Sequence, residues 1–224
     1  MSNVLITGAT GMVGKGILLE CIRDPRINSI VLLSRSAVDI KSPKVKEVFL
    51  RDFNEIEIVK NELGKIDACF HCMGVSSMGM NEEQYLYYTY EITKKLVDVC
   101  FDINPQMTFN YVSGDGTDSS EKGKVMWARV KGKTENYILS KGFSKAFMFR
   151  PGLILPENGI KSRVRLYNLV YIILRPFFSR LRKNNKITTT SRIGQAMVNS
   201  LELSTKELVH FQSENINELA GVKF

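Results

Sequence analysis

Short apolar runs rich in Val, Ile and Phe recur along the chain at residues 4–7, 29–33, 45–50, 67–72, 107–113 and 146–150, and helix-compatible patterns fill the stretches between them. Apolar runs of this length, bounded by turn residues, read as buried strands. Strands that alternate with helices form a parallel sheet covered on both faces. The intervening patterns predict helices over 14–23, 54–63, 81–102 and 127–140, then over 162–175 and 190–203. Asp24-Pro25 ends the first of these, because proline cannot continue a helix and disfavours helical geometry in the residue before it. No repeat, low-complexity tract or linker divides the chain. The expectation is an α/β fold, a doubly wound parallel sheet in one domain over 1–224, with residues from about 152 onward forming a small helical cap on the substrate side.

The first run passes straight into Gly8-x-x-Gly11-x-x-Gly14 within "VLITGATGMVG", and a helix is expected to open at Lys15. In such a strand-turn-helix the first glycine permits the tight turn. The second lets backbone approach a pyrophosphate, and the third lets the helix pack close to the sheet. The helix start adds unpaired N–H groups and a positive dipole. This is the dinucleotide-binding arrangement of a Rossmann fold, and it makes Gly8, Thr10, Gly11, Met12, Val13 and Gly14 candidate contacts. Ser34-Arg35 follows the second strand, where an NAD enzyme would carry an acidic residue for the ribose hydroxyls. The planar fork of Arg35 can instead pair with a 2′-phosphate, which favours NADP(H) over NAD(H); the alternative is a solvated loop charge.

Composition changes this picture in two places. At 224 residues and 44% hydrophobic content the chain can bury a core without metals or disulfides. Cys21, Cys69, Cys72 and Cys100 lie in apolar segments and read as small buried side chains. "ACFHC" brings Cys69, His71 and Cys72 close in sequence, yet strand alternation sends the two cysteines to opposite faces and no second ligand pair follows, so no metal is expected. His210 receives no role. No run of about 18 apolar residues is present and the chain enters its first strand at once, so the expected location is the cytoplasm.

The second place is charge. The net charge is +8, and the window 160–192 alone holds nine basic residues and no acidic one. Its segment "RVRLYNLVYIILRPFFSRLRK", residues 163–183, has a largely apolar centre too short to cross a bilayer. Three readings stay open: a buried cap helix over a substrate pocket, a peripheral contact with an anionic membrane through Phe177, Phe178 and Leu181, or a partner or homo-oligomer surface. No nucleic-acid motif accompanies the charge, so nucleic acid is not expected as a partner.

"TGATGMVG" resembles the TGxxGxxG fingerprint of the short-chain dehydrogenase/reductase superfamily, in its extended and atypical branches that include NAD-dependent epimerase/dehydratase-like proteins. With "VSGDG", "VKGKTE" and "FRPGLILP" the resemblance is to the TIP30-like oxidoreductase group and its bacterial relatives. It implies that a Ser after the fifth strand, and a Tyr and Lys four apart on the next helix, carry hydride chemistry. Ser113 and Lys131 match the first and last, and Trp127 occupies the Tyr position. It also implies that Asp52 lies near the adenine, that Cys72 to Gly74 form a turn beneath the cofactor, and that Arg150, Pro151 and Gly152 lie over the nicotinamide side. An indole N–H does not titrate usefully, so Trp127 cannot replace a tyrosine as acid. Lys131 would hold the ribose hydroxyls or act as the acid itself, and Tyr85, Tyr87, Tyr88 and Tyr90 either offer a hydroxyl or simply pack. The resulting expectation is an NADP(H)-binding atypical short-chain reductase for a small hydrophobic carbonyl or quinone-like acceptor. The alternative is a non-catalytic NADP(H)-binding sensor or scaffold.

Overall fold

The first apolar run is strand β1 (Ser2–Thr7), which enters helix α1 (Met12–Arg23) through the glycine turn. The computed structural model describes residues 1–161, 165–204 and 208–222. Over these the chain continues as β2 (Ile27–Ser34), β3 (Val45–Phe49), a 3-10 stretch (Phe53–Val59) running into α2 (Lys60–Leu63), and β4 (Ala68–His71). Next come α3 (Glu82–Leu86), α4 (Ile92–Ile103), β5 (Thr108–Val112), α5 (Met126–Ser140), β6 (Lys145–Arg150) and β7 (Leu153–Leu155). The remaining elements are α6 (Arg165–Leu174), α7 (Phe178–Leu181), β8 (Ile187–Thr189), α8 (Thr190–Asn199), β9 (His210–Gln212) and α9 (Ser213–Leu219).

Seven strands form one parallel sheet in the order β3-β2-β1-β4-β5-β6-β9, and β7 pairs with β8 separately. Side chains alternate along each strand, so the sheet carries a core on each face. Leu5, Leu33, Cys69 and Phe109 face α4 and α5 on one side; Val4, Ile6, Phe70 and Phe149 face α1 and α8 on the other. Cys69 and Cys72 do fall on opposite faces, and the four cysteines are free thiols. The chain reverses direction across the sheet between β1 and β4, so their carboxyl ends open a crevice where ligands of such sheets bind.

Several elements differ from their expected form. Helix α1 starts at Met12, because extended Gly11 is the N-cap and nothing prevents the next residues from being helical. The expected 54–63 helix is mostly 3-10, opened by the Asp52 side chain accepting from the Asn54 N–H. The expected 81–102 helix is capped by Asn81 and Gln84 but is broken by a π turn (Tyr87–Glu91) between α3 and α4. Of the expected 162–175 helix, α6 lies within the described residues and 162–164 lie outside them.

The expected cap is corrected more substantially. Strand β9 completes the main sheet beside β6, and Ile193, Met197, Phe211 and Ile216 belong to the core on the α1 face. Small residues allow this: a Cβ on Gly16 would lie 2.6 Å from the Thr190 Cβ, and one on Gly194 would lie 2.8 Å from the Glu20 side chain. The last third of the chain therefore contributes β9 to the main sheet and α8 and α9 to the helical layer beside α1.

Candidate active site

The crevice is shaped first by backbone. Gly8 has φ +73°, and a Cβ there would lie 2.7 Å from the Cys72 carbonyl group and the Met73 nitrogen. One on Gly14 would lie 2.3 Å from the Gly8 oxygen, so Gly14 is the packing glycine beneath the turn. The Gly11 N–H donates to the Gly8 carbonyl at 2.8 Å and closes the turn. A Cβ on Gly74 would meet nothing within 4 Å, which leaves open space over the turn after β4. These are the features of a cradle for a flat or phosphorylated ligand.

That cradle borders a cavity of about 670 Å³ lined by Gly8, Thr10, Gly11, Arg35, Asp52, Cys72 and Gly74, all candidates from the sequence. Ser36, Arg51, Tyr87 and Tyr88 join them. Ser34 pairs in register with Phe49, so the loops after β2 and β3 emerge side by side and bring Arg35 and Arg51 to one wall. Both arginines are exposed, and neither makes an ion pair or side-chain hydrogen bond among the described residues. Arg51 was not singled out from sequence, although its place one residue before Asp52 is the signal that could have marked it. Asp52 Oδ1 accepts from Asn54 N at 2.9 Å and Asn54 Nδ2 at 2.8 Å.

Beneath the glycine turn, His71 is fully buried between the Thr7 hydroxyl, 2.6 Å from Nδ1, and the Thr93 hydroxyl, 3.0 Å from Nε2. Burial pushes its pKa down to about 3, so the ring is neutral and ties β1, β4 and α4 together. Its role is structural.

A second cavity of about 310 Å³ continues from the first, sharing Gly11, Cys72, Met73, Gly74 and Val75, and adds Met12, Val13, Val112, Ser113, Lys131, Pro151 and Ile154. Among the described residues Lys131 is the one charged residue on its wall. Its ammonium donates to the Ser113 backbone carbonyl. Desolvation pushes its pKa down to about 8, with the charge of Glu135 opposing the shift. The Ser113 hydroxyl donates to Glu135 Oε1 at 2.5 Å and approaches the Phe149 carbonyl at 3.3 Å.

Glu135 is a second residue of the candidate site that sequence reasoning missed. It is fully buried, one helical turn beyond Lys131 on α5. A buried carboxylate needs a counter-charge. Arg150 supplies it, with Nε at 3.0 and 3.2 Å from the two carboxylate oxygens and Nη2 also bonded to Oε2. His210 Nε2 stands 3.6 Å from the same carboxylate, and burial followed by the nearby Arg150 pushes its pKa down. Arg150 therefore pairs with Glu135 and Ser119 and lines neither of the two cavities.

Two further candidates also stand away from the cavities. Gly152 donates its N–H to the Ser213 hydroxyl at 3.0 Å, and Trp127 packs its ring against Gly116. Trp127 and Lys131 share a helix face, but only Lys131 reaches the cavity wall. The tyrosines divide: Tyr85 is core, Tyr90 packs edge-on against Tyr137 at 5.8 Å, and Tyr87 and Tyr88 line the first cavity. Among the described residues no tyrosine lines the Lys131 end. Among the described residues no cluster of His, Cys, Asp or Glu could hold a metal ion.

Known proteins resemble this chain in sequence and in fold. The chain is 27% identical over 165 residues to "Protein fmp52, mitochondrial" of Emericella nidulans, covering 70% of this chain and 69% of that protein. It is 23% identical over 158 residues to "Protein HTATIP2" (TIP30) of Rattus norvegicus, covering 70% and 64%. Among solved structures, the Bordetella bronchiseptica enzyme WbmH in complex with NAD+ superimposes with a TM-score of 0.68 at 17% identity, over 99% of this chain and 79% of that one. The ADP-L-glycero-D-manno-heptose-6-epimerase of Helicobacter pylori gives 0.68 at 15% identity, over 98% and 81%. At these identities the structures share the Rossmann fold. The profile of the NAD dependent epimerase/dehydratase family matches residues 4–143, from β1 and the glycine turn through the end of α5, and on that span the chain belongs to this family.

Proposed function

We propose that the chain is an NADP(H)-dependent reductase of the atypical short-chain type, acting on a small hydrophobic carbonyl or quinone-like acceptor. The observation that carries this reading is the continuity of the two cavities: an open glycine cradle with arginines at one end and a single desolvated lysine at the other. The glycine turn, with its close approaches and the open space over Gly74, fits a dinucleotide. When bound, that dinucleotide supplies hydride chemistry.

The residues of the chain then divide the work. Backbone from Gly8 to Val13 and the start of α1 meet phosphate charge. Arg35 and Arg51, lacking protein partners, are suited to a 2′-phosphate, which supports NADP(H). Met12, Val13, Val75, Val112 and Ile154 make the far end apolar and favour a hydrophobic acceptor. Ser113 has committed its proton to Glu135, so it offers lone pairs and not a donor. Lys131, still mostly protonated at neutral pH, is the group that holds a proton on that wall.

Calorimetric titration with NADPH and NADH, followed by NADPH oxidation against quinones and aldehydes, tests the reading. The expected result is tighter NADPH binding, turnover with an apolar acceptor, and a loss of turnover of about a hundredfold or more in Lys131→Met. Trp127 at the position of the usual tyrosine, with no tyrosine among the described residues at the Lys131 end, is what favours the non-catalytic sensor. Tight NADPH binding with no turnover across the panel would establish that alternative.

A further inference from the structure

Exposed large apolar side chains on this molecule are mostly scattered, as at Phe49, Ile58, Met78 and Val125. One segment gathers them. Leu169, Ile172, Ile173 and Phe177 are 55, 68, 64 and 58% exposed, and their spacing puts the first three on one side of α6, with Phe177 following in the next turn of chain. The half-buried residues of this segment, Asn168, Tyr171, Leu174 and Phe178, lie along the opposite side, where the Tyr171 and Phe178 rings meet edge-on at 6.5 Å. An amphipathic helix on a water-soluble surface normally turns its apolar stripe inward; here part of the stripe is turned out.

The surroundings of that stripe are basic. Arg175, Arg180, Lys183 and Lys186 are exposed and make no ion pair among the described residues. The window 160–192 contains no acidic residue at all. We propose that α6, α7 and the turn between them form a docking surface for an anionic lipid bilayer. Leu169, Ile172, Ile173 and Phe177 would enter the interface while the basic side chains meet headgroup charge. At ten residues α6 is about 15 Å long, too short to span the hydrocarbon, so the segment lies on the membrane. Charge complementarity selects this occupant: a second copy of the chain would bring the same uncompensated positive charge against itself. Phe178 and Leu181, which the sequence suggested as insertion residues, are half-buried, so Leu169, Ile172 and Ile173 take that part.

The test is flotation of the purified full-length chain with phosphatidylcholine vesicles, with and without phosphatidylserine, at low and high salt. The proposal expects capture by the anionic vesicles alone, weakened by salt. It also expects at least about tenfold weaker partition for both Ile172→Ser/Ile173→Ser and Arg180→Glu/Lys183→Glu. Because these side chains are exposed, the thermal unfolding midpoints of both variants should stay at the parent value, which separates lost docking from lost folding. Equal binding to both vesicle types, or binding to neither, overturns the proposal. So does a concentration-dependent dimer that the double serine variant dissociates, since the stripe would then belong to a second copy. None of these outcomes depends on whether the crevice binds NADPH.

Discussion

At the glycine-turn end of the crevice, backbone forms the wall and the charges of Arg35 and Arg51 stand in solvent; at the Lys131 end, side chains form the wall and Glu135, Arg150 and Lys131 are withdrawn from water. The difference is one of dielectric. Exposed charges are screened and contribute modestly until a ligand pairs with them, whereas buried ones interact strongly and cannot be removed singly without leaving a partner stranded. The first end can be altered residue by residue to change what it binds. The second is coupled through Ser113, Glu135 and Arg150, and should respond as a unit.

The largest expected effect is therefore at the buried end. Glu135→Ala strands the Arg150 guanidinium and should destabilise the chain by about 3–5 kcal/mol in denaturant unfolding. A loss comparable to that of a surface substitution would show that the two ends do not differ in this way. At the open end, Arg35→Ala should weaken NADPH binding by about 1.5–3 kcal/mol and leave NADH and stability nearly unchanged, and high salt should narrow the difference. Equal loss for both nucleotides would remove Arg35 from the 2′-phosphate.

The third test concerns the floor beneath the open end. His71 has a folded pKa of about 3 against an ordinary value of 6.5, so between these limits the unfolded chain binds the extra proton. Its contribution to stability is present above pH 6.5 and is lost as pH falls toward 3, with a slope of up to about 1.4 kcal/mol per pH unit. His71→Gln should flatten that slope in pH-dependent unfolding; an unchanged slope would mean that other groups carry the acid sensitivity.

How much of this was legible in the sequence follows the same division. Backbone constraints are written as residue types, so Gly8, Gly11 and Gly14 announced the cradle, and apolar runs announced six strands of the sheet. Strands β7, β8 and β9 have three residues each, too few to leave a period. Glu135 was hidden because a glutamate in "VKGKTE" reads as a solvated helix position. Only the fold brings Ser113 and Arg150 to it, and only the four-residue spacing from Lys131 hinted at a shared face. The pairing of Arg150 was hidden for the same reason: its buried carboxylate partner lies fifteen positions earlier and on another element. Of the predicted 162–175 helix the described residues 165–174 are helical, but amphipathic spacing does not say which way a stripe faces.

The close packing of α8 on α1, through Gly16 and Gly194, also bears on how the molecule is made. During synthesis α1 and its glycine turn leave the ribosome well before α8, their neighbour on the same face of the sheet, which is encoded about 170 residues later. Until then the α8-facing side of α1 and the β6 edge awaiting β9 have only temporary partners, so the nascent chain is most vulnerable to chaperone capture and proteolysis just before translation of α8 to β9.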